Sequence, residues 1–359
     1  MNKIFLFGPQ PPLYSYGGPV RSLESLDRVL KNSFDVLSIS PSENLNGDKV
    51  FVKPLNGKLF SSKPFTSLMF NCLKSRSSIV WFNSFFEFKI FLLLLLSRLS
   101  FFKIIISPRG QLANGAINSS NARLKHLFIK VFRFFFTEKI YFHATDRNEF
   151  NDIKFFFPKA QVNIIPNISS QKYKSNNNTS HRFVFFSRIT KKKGLLELLE
   201  CIDENYKSLQ LDIYGFKEDL KYWLQCEELI KKNPNVNYCG ELPEGKVETL
   251  ENKYTYFILP TYNENYGHVI FEALSLGLIP ILTKGTNPFD KEIQKIVNLN
   301  FDLGSSMTNS ISKALSMDTN EISECRKKLR FYFEDLIAEQ NKFEQQYVTF
   351  INKIINSNA

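Results

Sequence analysis

The sequence predicts an α/β protein built from two parallel-sheet domains, and three observations carry that prediction. Short runs rich in Ile, Val, Phe or Tyr alternate with helical patterns along the chain, the pattern of βαβ units. A polar stretch without periodicity, residues 169–181, separates these runs into two sets. The chain has 359 residues, enough for two cores at roughly 100–200 residues per domain.

In the first set the strand candidates are 4–7, 36–39, 79–82, 104–107, 139–142 and 162–165. In the second they are 183–186, 209–214, 236–238, 256–259 and 279–282. Each run is only a few residues long and rich in Ile, Val, Phe or Tyr, as expected of strands in parallel sheets. The stretch 322–355 is helical in pattern. In open parallel sheets ligands bind beyond the carboxyl ends of the strands, so chemistry is sought in the loops there.

Composition limits the function classes. With 43% hydrophobic residues, extensive disorder is excluded. The formal charge is +11, which favours anionic partners such as phosphorylated small molecules, nucleic acid or an anionic membrane. The five cysteines form no Cys-x-x-Cys pair, which argues against a zinc site or a disulfide framework and fits a reducing compartment. The apolar run at the N-terminus is too short for a signal-peptide core and reads as a first strand ending in the Gly8-Pro9 turn. The run 88–102 is interrupted by Lys89 and Arg98, so no membrane-spanning helix is expected. Phe is abundant, 36 residues, more than two cores need, which places some of it at a surface.

The most informative segment runs from Leu259 to Leu274. A strand ends at Pro260, a polar loop follows, and Gly267 opens a helix. Gly267, His268 and Val269 would present backbone N–H groups to a phosphate. Glu264 precedes the helix and Glu272 lies inside it. Carboxylates beside phosphates need donors such as sugar hydroxyls. Taken alone, the segment also reads as a surface loop with one capping and one solvated glutamate.

Glu264 and Glu272 have seven residues between them, with Gly267 in the middle. This resembles the E-x7-E motif of glycosyltransferase family 4, the retaining glycosyltransferases with the GT-B fold. A second segment, Phe185 to Leu195, resembles that family's strand followed by G-R-x-x-x-x-K-G, with Arg188 and Lys193 as its cations and Ser187 in place of the usual Gly. Two cations five residues apart can straddle a diphosphate. A third, Gly8-Pro9 followed by Gly17-Gly18, resembles the family's N-terminal glycine loop. Weaker matches are His143 to Asp146 with Glu149, Ile165-Pro166-Asn167, and Asn237 to Leu242, which contains Glu241. Where many members carry a His after the fourth strand, this chain has Ser107-Pro108-Arg109-Gly110, as in some bacterial polysaccharide transferases. Thr286 to Phe289 resembles a Thr-Pro-Trp turn of that subgroup.

The resemblance implies two Rossmann-like doubly wound domains facing each other across a cleft. The N-terminal acceptor domain would be residues 1–170, with a helix at about 338–359 crossing back to it, and the donor domain 171–337. It implies a retaining, metal-independent hexosyltransferase with no cofactor. A nucleotide-sugar is the donor, and a lipid-linked or growing saccharide of a cell-surface polysaccharide, such as O-antigen, lipopolysaccharide or capsule, is the acceptor. Arg188, Lys193 and Glu264 become the catalytic candidates. Gly17, Gly18, Glu241, Gly267, His268, Val269 and Glu272 become donor contacts, and Arg109 and Gly110 acceptor-side candidates. No Asp-x-Asp pair is present to hold a divalent ion, and no metal ligands are expected.

Residues 123–136 read R-L-K-H-L-F-I-K-V-F-R-F-F-F. Leu124, Leu127, Phe128, Val131 and Phe135 recur at helical spacing, and Arg123, Lys125, Lys130 and Arg133 supply cations. This is either an ordinary packed helix or a basic amphipathic helix on an anionic membrane. The lipid-linked acceptors of the resembling subgroup favour the membrane, and with it a peripheral location on the cytoplasmic face of the inner membrane. Two rival readings remain: a nucleotide-sugar epimerase or hydrolase on the same fold, and a non-enzymatic basic protein binding membrane or nucleic acid. The cations fall in a donor motif and one helix rather than interleaving with aromatics along an exposed face, so no nucleic-acid partner is expected.

Overall fold

The computed structural model describes residues 3–8, 18–39, 41–43, 49–51, 78–87, 90–91, 102–118, 121–135, 140–169, 171–206, 208–242, 247–264, 266–302 and 307–357. Gly17, Cys72 and most of the run 88–102 lie outside them. The chain divides into two units, Met1–Ile168 with Gln340–Ala359, and Ser169–Glu339.

The first unit contains a parallel sheet in the order β2-β1-β5-β6-β7-β8. Its strands are β1 (Lys3–Phe7), β2 (Asp35–Ile39), β5 (Ile79–Phe82), β6 (Lys103–Ile106), β7 (Ile140–Ala144) and β8 (Gln161–Ile164). Helices Gly18–Lys31, Ala122–Phe135 and Arg147–Phe156 are among the connections. Side chains alternate between two core layers, as strand geometry requires. Phe5, Phe7, Val80, Phe82, Ile104 and Ile106 enter one layer. Ile4, Leu6, Ile79, Trp81 and Ile105 enter the other. The first layer is a cluster of rings: Phe85 lies 5.0 Å from Phe132 and 5.7 Å from Phe157, and Phe142 stacks on Phe157 at 5.4 Å.

The second unit contains a parallel sheet in the order β11-β10-β9-β12-β13. These strands are β9 (Arg182–Phe186), β10 (Gln210–Tyr214), β11 (Val236–Tyr238), β12 (Tyr256–Leu259) and β13 (Ile279–Leu282). β12 and β13 are buried at every position, which is why they read as unbroken apolar runs.

Two sequence expectations need correction. A small antiparallel pair, β3 (Pro41–Glu43) with β4 (Lys49–Phe51), was not expected. Three polar-rich residues joined by backbone pairing give no apolar period to read. β7 extends two residues beyond its expected end, because His143 continues the sheet with its ring buried and both ring nitrogens bonded.

The last helix, Thr319–Asn356, is long. Leu329 and Phe333 belong to the core of the second unit. Tyr347, Phe350, Ile351 and Ile354 belong to that of the first. Its final turn is capped by Lys103, whose ammonium donates to the carbonyls of Ile354 and Ser357 and to Ser357 Oγ at 2.8 Å. A cation there complements the carboxyl end of the helix dipole. Among the described residues no helix is long and apolar enough to cross a membrane.

Candidate functional site

At the carboxyl edge of the second sheet, backbone contacts bring three loops together. Ser187 N donates to Tyr214 O at 3.1 Å, and Ile189 N to Phe216 O at 2.8 Å. A Cβ on Gly215 would sit 1.8 Å from Ser187 O, so only glycine permits this pairing of the loops after β9 and β10. The chain then makes one tight turn, Lys191–Lys193, and ends it at Gly194 with φ +68°. A Cβ on Gly194 would lie 2.1 Å from Pro260 O, so this turn rests directly on the backbone at the end of β12. Tyr262 N and Thr261 Oγ1 donate to Lys192 O at 2.9 and 3.1 Å and fasten the two loops.

That geometry sorts the lysines. Lys191 and Lys192 are exposed, while Lys193 is buried and ion-paired with Glu264. The pair is nearly dry, with side chains 8% and 11% exposed. Glu264 Oε1 also lies 3.1 Å from Thr261 Oγ1, as an alternative acceptor for that hydroxyl's proton. Burial pulls the Lys193 pKa down, against the opposing pull of Glu264, and the charges of Lys192 and Arg188 add to the depression. Arg188 has its own carboxylate, Glu218, at 2.7 Å in a half-exposed pair. The two cations of the motif are thus close enough to repel, and each is held by a separate acid. Glu218 had no signal in the sequence, because it lies in the next loop with no motif around it.

Gly267 adopts φ +74° and opens the helix His268–Ser275, where Val269 is the second residue. A Cβ at Gly267 would meet Ile270 Cδ1 and Phe289 Cε2 at 3.2 Å, so the aromatic of the Thr286–Phe289 turn is the wall against which the glycine packs. Glu264 N donates to Thr286 O at 2.6 Å and ties that turn to the same loop. Glu272 is buried on the helix. Glu241 is exposed beside Gly240, whose carbonyl accepts from Gly215 N at 2.9 Å. A further tether escaped the sequence reading. Glu197 accepts from Tyr262 OH at 2.6 Å and Tyr222 OH at 3.3 Å, and its carboxylate pushes the Tyr262 phenol up to about 12.

The carboxyl edge of the first sheet is built differently. Arg109 (φ +55°) and Gly110 (φ +74°) form a left-handed pair after β6. Arg109 Nε donates to Asn83 Oδ1 at 2.5 Å and Nη1 to Asn167 Oδ1. Burial lowers its pKa, with Tyr347 and Glu149 opposing. Gly110 N donates to Glu149 Oε1 at 2.8 Å, and the other carboxylate oxygen accepts from Thr145 N and Oγ1 at 2.7 and 2.8 Å. Asn83 also donates its backbone N–H to Phe7 O at 2.8 Å, and its Cβ would be 3.0 Å from one built on Gly8. Gly18, expected in a glycine loop as a donor contact, is the first residue of its helix.

His143 is fully buried. Its pKa is pushed down to about 3, first by burial and then by Arg109. Ile165 O, 2.8 Å from Nε2, can only accept, so Nε2 carries the proton. Nδ1 then accepts from Ser107 Oγ at 2.8 Å, which in turn accepts from Trp81 Nε1 at 2.8 Å. Tyr347 OH completes the relay, 3.1 Å from His143 Nε2 and from Pro166 O.

The cations marked for a membrane surface divide. Arg123, Lys130 and Arg133 are exposed, whereas Lys125 turns its ammonium to Ala116 O at 2.7 Å and serves the fold. The apolar positions also shift: Phe128 and Phe135 pack against the core, while Phe134 faces outward. Among the described residues, no three His, Cys, Asp or Glu side chains are grouped to hold a metal ion.

Residues 167–327 match the family described as Glycosyl transferases group 1. The structure resembles HepE of Anabaena in complex with UDP and glucose, with TM-score 0.66 and 13% identity over 98% of this chain and 99% of that one. It also resembles WaaG, a glycosyltransferase involved in lipopolysaccharide biosynthesis, with TM-score 0.61 and 14% identity over 97% and 99% of the two chains. A third similar structure is the pneumococcal O-GlcNAc transferase GtfA in complex with UDP and GlcNAc, with TM-score 0.58 and 14% identity over 88% of this chain. This chain spans 66% of the GtfA chain. No curated protein matches by sequence. The chain has the GT-B fold, and its second unit carries the match to the group 1 glycosyl transferases.

Proposed function

We propose that this chain is a retaining, metal-independent glycosyltransferase. It moves a sugar from a nucleotide-sugar to a lipid-linked or growing saccharide of O-antigen or capsule type, at the cytoplasmic face of the inner membrane. One observation carries the reading: the buried Lys193–Glu264 pair at a sheet edge, with Arg188 close by. Solved neighbours holding UDP and sugars support a nucleotide-sugar donor.

The chemistry follows from charge. Breaking the bond between sugar C1 and the diphosphate builds negative charge on the leaving oxygen and positive character on the sugar. Lys193 and Arg188 exchange their carboxylates for diphosphate oxygens, and the helix opened by Gly267 adds its dipole through the Gly267, His268 and Val269 amides. Glu264, released from Lys193, accepts from hydroxyls of the donor sugar, and Glu272 accepts from the ribose. The acceptor oxygen bonds to C1 on the face that the diphosphate leaves, its proton passes to the leaving phosphate oxygen, and the configuration is retained. Glu241, Gly17 and Gly18 are further donor contacts on this reading. Arg109 and Gly110 serve the acceptor side.

The test has two stages. A melting screen over UDP-, GDP-, ADP- and CMP-sugars identifies the donor. Product analysis with a saccharide acceptor then reads the new bond's configuration. Transfer with retention that survives EDTA is expected. Release or isomerisation of the sugar at the same rate without acceptor would make the chain an epimerase or hydrolase.

A further inference from the structure

Arg109 is held by neutral amides rather than by an acid. Nε donates to Asn83 Oδ1 at 2.5 Å and Nη1 to Asn167 Oδ1, while Nη2 is buried with no hydrogen-bond partner. Glu149, whose charge reaches it, spends Oε1 on Gly110 N and Oε2 on Thr145 N and Oγ1. His143, whose pKa Arg109 helps to depress, is neutral, and burial pushes the Tyr347 phenol up. The other buried cations are offset. Lys193 has Glu264, and Lys103 caps the end of the last helix. Arg326 also has an unpartnered Nη2, but its Nε donates to Gly277 O, just beyond the carboxyl end of the helix His268–Ser275, whose dipole offsets the charge. A desolvated guanidinium without an anion is costly. Arg109 adds to that cost a left-handed backbone, φ +55°, which residues with a Cβ rarely adopt. Its place in the sheet is equally specific. β2 lies on one side of β1 and β5 on the other, so the strand order reverses between β1 and β5, where open parallel sheets bind ligands. Gly8 follows β1 and Asn83 follows β5, and a Cβ on Gly8 would lie 3.0 Å from Asn83 Cβ. Asn83 thus joins Arg109 to the switch point.

From this arrangement we infer that Arg109 receives an oxyanion of the saccharide acceptor, so that the acceptor is an acidic saccharide carrying a carboxylate or a phosphate. The inference deepens the reading above and rests on it for placing the acceptor at this edge. Either group presents two oxygens to Nη1 and Nη2 in the geometry that suits a guanidinium. It takes the place of neutral amide oxygens, and each asparagine can then turn its NH2 group to the same anion. A hydroxyl of a neutral saccharide would leave the charge as uncompensated as the two amides do.

Melting of the full chain at constant ionic strength tests this, with glucuronate, glucose 6-phosphate and glucose as probes, each with and without UDP or whichever nucleoside diphosphate binds. At least one of the two acids should raise the melting temperature of the parent, and glucose should not. The acid with the larger shift tells carboxylate from phosphate. Arg109→Gln should bind that acid at least tenfold more weakly. Without ligand it should melt at the parent's temperature or above it, because an unpaired buried charge is gone. Arg109→Lys keeps the charge and loses the fork, so it should bind the acid between the two. Equal shifts from all three probes, or none from any, would overturn the inference. So would a shift that persists in Arg109→Gln and disappears with the nucleotide, which would assign the anion to the second edge. If Arg109→Gln does not fold, Arg109→Lys decides, and binding equal to the parent's would overturn the inference. If no nucleoside diphosphate stabilises the parent while the acids act through Arg109, the transferase reading falls and the acid site stands. If a nucleotide stabilises it and the acids do not, the acid site alone falls.

Discussion

The two sheets share an architecture and differ in what their carboxyl edges do with polar groups. Both are parallel, both are buried on two faces, and both turn their loops through left-handed residues. At the first edge most polar groups satisfy one another, while Nη2 of the buried Arg109 has no hydrogen-bond partner. Trp81, Ser107, His143 and Tyr347 form a relay around a neutral imidazole, and Glu149 accepts three bonds from the loop around it. At the second edge the groups are ion pairs, Lys193 with Glu264 and Arg188 with Glu218. An ion pair can exchange its carboxylate for another anion, whereas a closed neutral relay gains nothing from a charged ligand. The backbone therefore offers two similar platforms, and on the proposed reading the side chains decide which of them handles a diphosphate.

The largest expected effect breaks the second platform itself. Gly194→Ala forces a left-handed backbone on a residue with a Cβ and drives that Cβ into Pro260 O, 2.1 Å away. Unfolding in urea should show a loss of about 4 kcal/mol or more, carried by the second unit. A loss below about 1 kcal/mol would mean that the two loops are not pressed together.

Next in size are the cations. On the proposed function, Lys193→Ala and Arg188→Ala each remove a contact that strengthens as the diphosphate departs, so initial rates should fall roughly 100- to 1000-fold. Stability should distinguish them. Losing Arg188 breaks a half-exposed pair and should cost no more than about 1 kcal/mol. Losing Lys193 strands a buried carboxylate and should cost about 3 kcal/mol.

The first platform is tested by pH. His143 is neutral in the folded chain, with its pKa pushed down to about 3 from an ordinary 6.5. Above pH 6.5 neither state binds the proton. Below it the unfolded chain takes up a proton that the folded chain refuses, so stability falls as pH drops from 6.5 toward 3. Between pH 7.5 and 5.0 this site should remove about 2 kcal/mol. His143→Gln should lack that increment in urea melts at the two pH values. The same pH slope in parent and variant would show that His143 is not held neutral.

The smallest effect is at the loop tether. Tyr262→Phe gives up the 2.6 Å bond to Glu197 in a half-exposed setting. It should cost about 1 kcal/mol in stability and leave the rate within a few-fold.

The strands were legible because burial on both faces left unbroken apolar runs such as Ile79–Phe82 and Ile279–Leu282. The β3–β4 pair was not, since backbone pairing alone leaves no mark on side-chain pattern. Which face of the helix Ala122–Phe135 packs inward was ambiguous, because Phe occurs on both faces and spacing cannot say which ring meets Phe85 and Phe91. In the candidate site, motif likeness pointed to Lys193 and Glu264 separately, and only the fold shows that they form a pair across 71 positions. Glu218, Glu197 and Asn83 carried no signal. They act through side-chain hydrogen bonds to residues distant in sequence, and such contacts leave no period or motif.

The central claim is that the buried Lys193 belongs to a diphosphate site and the exposed Lys191, two residues away, does not. Calorimetric titration of the parent, Lys193→Ala and Lys191→Ala with UDP, and then with the other nucleoside diphosphates, tests it most directly. For the nucleotide that binds the parent, Lys191→Ala should bind within about threefold of it, as expected for a solvated lysine. Lys193→Ala should bind at least tenfold more weakly, since a charge-assisted bond of about 1.5–3 kcal/mol is gone. Equal losses at Lys191 and Lys193, or no binding of any nucleoside diphosphate to the parent, would contradict the account.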